Sequence, residues 1–124
     1  MATFTEQKPR QPFATAAYAR LIQEARAGSC TEQAWLCLEA AHVVGQHHLR
    51  PHVQTHAHML GLAWRTRDWP EAAGQVFRLA LVPLGHLSGS LPLGNPGRAT
   101  VGAFRARPMR PELTALIDRA RGNW

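Results

Sequence analysis

Residues 35–63, WLCLEAAHVVGQHHLRPHVQTHAHMLGLA, decide the fold. Trp35, Leu38, Glu39 and His42 recur at the i, i+3, i+4, i+7 spacing of one helix face, and His52, His56, Met59 and Ala63 form a second such stripe. Gly45 ends the first helix. Pro51 suits the first turn of the next, where its missing N–H would have had no partner. The stretch therefore reads as a helical hairpin turning over residues 45–49. A short connection sets its two helices antiparallel, so residues equidistant from the turn share a level. His42 then meets His52, and Glu39 meets His56.

The same reading extends outward. A helix is expected over 12–27, with Phe13, Ala17, Leu21 and Glu24 on one face and Gly28 as its C-terminal cap. Ser29 and Glu32 have capping-box spacing and open a second helix over 30–44. The third helix runs from Pro51 to about Arg67. Asp68, Pro70 and Glu71 then start a fourth that reaches about Leu81. Residues 82–110 are rich in Gly and Pro and read as a long loop, with a turn at Gly94-Asn95-Pro96-Gly97. Leu91, Leu93, Val101, Phe104 and Met109 are available to pin that loop over the helices. Pro111 opens a last short helix over 111–121, with Leu113, Leu116, Ile117 and Ala120 as its stripe and Gly122 as its stop. The expectation is one all-α domain over 1–124: an antiparallel bundle of four main helices plus a short C-terminal one.

Composition narrows the class. A chain of 124 residues with 45% hydrophobic content is globular rather than disordered. No run approaches the ~18 apolar residues of a membrane span. The first residues lack the apolar core of a secretion signal, so a cytoplasmic location is expected. The net charge of +6 is carried by arginines dispersed from Arg10 to Arg121, without a basic run, and nucleic-acid binding is not expected. Cys30 and Cys37 are about 10 Å apart along a helix axis, too far to bridge. Two such thiols suit a reducing compartment.

Six of the seven histidines fall between residues 42 and 58. Two imidazoles at i, i+4 can grip one ion, and a facing carboxylate and imidazole can complete its shell. The expected metal ligands are therefore Glu39, His42, His52 and His56, a donor set that suits Zn, Co, Ni, Fe or Cu better than Mg or Ca. Met59 could add a soft ligand, although a core position is the simpler reading. His47 and His48 fit a solvated turn, and His58 points about 200° around the helix from His56. The competing reading is a buried polar network that fixes the hairpin without metal. Catalytic motifs are lacking: Val53, not Glu, follows His52, and Gly89-Ser90 has no nucleophile-elbow context.

The series Leu38-Glu39-Ala40-Ala41-His42-Val43-Val44-Gly45-Gln46, followed by His52-x-x-x-His56-x-x-Met59-Leu60, resembles the core of a small bacterial domain family of unknown function. Pro92-Leu93-Gly94-Asn95-Pro96-Gly97 and Phe104-Arg105-x-x-Pro108-Met109 are similar to its later segments, and the likeness spans about Ala14 to Leu116. The resemblance implies a short helical protein, with some members accompanying metal-resistance genes, and it names no reaction. The doubled His47-His48 and His58 depart from the family pattern. The resulting expectation is a small cytoplasmic protein that binds a transition metal for homeostasis or resistance. A helical-hairpin protein-interaction module without metal is the alternative and a small metal-dependent enzyme the third, with a protein partner or a homo-oligomer left open.

Overall fold

The computed structural model describes residues 14–28, 30–88, 97–98 and 109–122. Among these residues five helices follow one another: α1 (Thr15–Ala27), α2 (Thr31–Gly45), α3 (Leu49–Arg65), α4 (Trp69–Ser88) and α5 (Pro111–Ala120). No strand occurs among the described residues. The chain is an all-α bundle of four helices with a short C-terminal fifth, and none of its described helices is long and apolar enough to cross a membrane.

Two apolar clusters hold the helices together. Trp35, Cys37 and Leu38 of α2 pack with Met59, Leu62 and Ala63 of α3, and Ala25 of α1 and Ala72 of α4 close that cluster. Met59 is fully buried there, as a core residue. On the other side of α2, Tyr18 and Leu21 of α1 meet Ala40, Ala41 and the α5 stripe of Leu113, Ile117 and Ala120. Leu21 and Leu113 are each 1% exposed, and burying a side chain of that size contributes about 1.5–3 kcal/mol.

The hairpin forms because α2 and α3 approach closely at Gly45. A Cβ built on Gly45 would stand 2.8 Å from Pro51 Cβ, so a larger residue would force the helices apart. Tyr18 straps the junction by donating to the Pro51 carbonyl at 3.0 Å, with Thr55 Oγ1 also 3.0 Å from its hydroxyl. Residues 46–48 make the turn, and α3 starts two residues before Pro51.

Local signals at the other ends hold to differing degrees. The Glu71 N–H donates to Asp68 Oδ1 at 3.3 Å, as the cap-like spacing implies. Gly28 does close α1, but in an extended conformation rather than a left-handed one. Ser29 lies outside the described residues, and Cys30 caps α2 without a side-chain bond. Gly122 follows α5 at φ +76.

The largest difference concerns α4, which continues to Ser88 instead of stopping near Leu81. Pro83 lies inside it, and proline removes one backbone hydrogen bond from a helix interior. Pro83 sits on the exposed side, whereas Val82 and Gly85 are buried against the bundle. Packing of α4 on α3 thus outweighs the local breaker. Of the expected loop beyond Ser88, only Gly97, Arg98, Met109 and Arg110 are described; the Asn95 turn and Leu91, Leu93, Val101 and Phe104 lie outside the described residues. Met109 is 40% exposed.

Candidate metal centre

The hairpin places His42 on α2 opposite His52 and His56 on α3, and all three rings are buried, with 2–5% exposure. Nε2 of His42 stands 3.0 Å from Nε2 of His52. Ring centroids are 4.8 Å apart for His42 and His52, 4.9 Å for His42 and His56, and 5.0 Å for His52 and His56. One ring nitrogen from each residue lies within 4.8 Å of the others.

The tautomer of His56 follows from a chain of hydrogen bonds. The Gly97 carbonyl can only accept, so the Gln75 atom 2.9 Å away is its amide nitrogen, which donates. The other end of Gln75 is therefore the oxygen, 2.7 Å from His56 Nδ1. Nδ1 must carry the proton, and Nε2 is left with a lone pair. A ligating histidine is held in this way, its second nitrogen donating to an oxygen.

Burial also keeps the His52 and His56 rings neutral. It lowers His52 to about 3, with the nearby His56, His86 and His47 acting in the same direction. It lowers His56 to about 4, against the Gln75 hydrogen bond and Glu71, which favour the charged form. Neutral imidazole is the form that binds a metal, so no proton has to be stripped from a charged ring at neutral pH.

Glu39 does not join the three histidines. Its carboxylate is buried and engaged by two arginines, Arg110 at the start of α5 and Arg98. Burial raises its carboxyl above the ordinary glutamate value, partly offset by Arg110 and then Arg98. Arg98 also pairs with the buried Glu71, and its guanidinium lies over the Trp35 ring, 3.7 Å from the centroid. Gly97 and Arg98 thus form a short strap across the site. Gly97 adopts φ +85, and a Cβ there would stand 2.5 Å from the His42 ring.

His86, on the part of α4 read from sequence as loop, is the residue that the spacing argument missed. Its Nε2 is 3.0 Å from Nδ1 of His52, with ring centroids 5.2 Å apart. The remaining histidines lie elsewhere. His47 is exposed and His48 half-buried in the turn, and His58 lines a groove of about 700 Å³ between α1 and α3 with Tyr18, Arg26 and Gln54. Cys37 is a free, buried thiol pushed up by burial and by Glu24, and it lies in the apolar cluster rather than at the histidines.

These features define a class first: a small helical bundle with three buried imidazoles converging in its interior. The chain belongs to the family described as Protein of unknown function (DUF3703), whose model matches residues 10–117. That span holds every residue of the site. No curated protein and no solved structure matches the chain.

Proposed function

We propose that this protein binds a first-row transition metal at His42, His52 and His56, in metal homeostasis or resistance. The observation that carries the reading is the convergence of three buried imidazole nitrogens within 4.8 Å. With metal–nitrogen distances of about 2.0–2.1 Å, tetrahedral ligand nitrogens stand roughly 3.3 Å apart. The 3.0 Å separation of the His42 and His52 nitrogens is close to that spacing. Nitrogen donors suit Zn, Cu, Ni, Co and Fe. In this reading Glu39 is an arginine-held neighbour that braces the strap rather than a ligand. Two free thiols, Cys30 and Cys37, fit a reducing cytoplasm.

The test is metal content by plasma mass spectrometry on untagged protein, reconstituted with each ion and desalted. The result expected is near-stoichiometric metal in the parent and little in the His52→Ala/His56→Ala variant. The absorption spectrum of the Co(II)-loaded parent gives an independent readout of nitrogen ligation should the variant fold poorly. No retained metal in the parent, or equal retention in a folded variant, would overturn the reading.

His86 supplies a second expectation. When His52 binds through Nε2, its Nδ1–H donates to His86 Nε2, which fixes the ring's orientation. Removing such an outer partner typically costs 10–100-fold in affinity, roughly one to two decades. The His86→Ala variant should keep full metal stoichiometry but lose affinity by about that factor in a chelator competition. Unchanged affinity would show that His86 does not position His52.

A further inference from the structure

Helix α4 is amphipathic in the wrong sense for a lone domain. Glu71, Gln75 and Arg78, its most polar residues, are all buried against the bundle. Among its described side chains, every exposed one from Trp69 to Leu87 is apolar. Trp69, Val76, Phe77, Leu84 and Leu87 each show between 52% and 85% of their surface to solvent. Trp64, at the end of α3, extends the face through an edge-on contact with Trp69 at 5.2 Å, and it is itself 64% exposed. Surface helices of soluble monomers place charged and polar residues outward, and contiguous apolar faces of this kind mark interaction sites.

We infer that the outer face of α4 is the interface of a homodimer, two copies packing α4 against α4 across a twofold axis. Size supports a second copy. The five side chains together expose on the order of 700 Å², close to the ~800 Å² that each partner contributes to a standard interface. The stripe runs the length of a 20-residue helix, about 30 Å, which matches one helix laid against another. Charge supports it further. The chain carries a net charge of +6, and an acidic partner would be met by arginine. The α4 face holds no exposed charge, so it is where two equally cationic copies meet with least repulsion. A helix lying on a membrane surface carries Lys or Arg along its polar face, and here that face is buried in the bundle. An isologous contact also closes on itself, so it ends at two copies.

Sedimentation velocity on the full chain with chelator present, from low to several hundred micromolar, tests this without reference to metal. The parent should sediment as a species of twice 13.7 kDa. The Phe77→Glu/Leu84→Glu variant places charges on exposed positions, so its helicity by circular dichroism should match the parent. Its dimer dissociation constant should rise by at least about a hundredfold, as charges buried at an interface centre require. Thr114→Glu, exposed on α5, should leave the mass unchanged. A parent that stays monomeric throughout, a dimer that survives the double variant, or open-ended aggregation would each overturn the assignment. So would recruitment of a monomeric parent to phosphatidylglycerol vesicles, which would give the face to lipid instead.

Discussion

The Arg98→Ala variant is expected to lose about 3 kcal/mol of folding stability, measured by urea denaturation with chelator present. Arg98 reaches two buried carboxylates, Glu39 and Glu71, whose side chains are 6% and 2% exposed. Removing one member of a buried ion pair typically costs about 3–5 kcal/mol, because the desolvated partner keeps its burial and loses its counter-charge. The low end applies here for two reasons. Arg98 itself retains 21% exposure, and Arg110 still engages Glu39. The guanidinium also lies over Trp35, a contact worth about 0.5–2 kcal/mol, which the truncation removes as well. Against a total stability of roughly 5–15 kcal/mol for an ordinary domain, such a loss is large. Arg98→Lys should recover less than half of it, since an ammonium supplies charge but neither the planar fork nor the stacking face. A loss below about 1 kcal/mol would show the pairs to behave as screened surface contacts.

The arginines also explain which part of the site was legible in the chain. His42, His52 and His56 could be brought together on paper because helical period and turn length fix both the face and the level of each residue. The observed 3.0 Å between His42 and His52 is what that register implies. Glu39 shares the same stripe, yet periodicity says nothing about which distant cation will claim it. Arg98 and Arg110 come from 59 and 71 residues further along, beyond the reach of spacing arguments. His86 was hidden for a different reason. Pro83 and Gly85 read as breakers, although Glu71, Gln75, Arg78, Val82 and His86 recur at intervals of three or four and trace one helix face. That face is mostly polar, and a search for apolar stripes passes over it. The bundle architecture survived because Trp35, Met59, Leu113 and Ile117 follow the ordinary apolar rule.

The strap makes Gly97→Ala the other variant with a large expected effect. At φ +85 any residue with a Cβ is strained, at a cost of about 1–3 kcal/mol. The added methyl would also stand 2.5 Å from His42 Cδ2 and 2.8 Å from Cγ, so strap or imidazole must move. If the strap lifts, Gln75 loses the Gly97 carbonyl that orients its amide, and with it the bond that sets the His56 tautomer. If the ring yields, His42 leaves its position against His52. Either way the variant should unfold about 2–4 kcal/mol more easily and bind metal at least tenfold more weakly. A double-mutant cycle separates the two costs. In a His42→Ala background the methyl has space, so Gly97→Ala should cost only the backbone strain, about 1–3 kcal/mol. Equal costs in the two backgrounds would mean that the methyl never meets the ring, and the close seating of Gly97 on His42 would have to be abandoned.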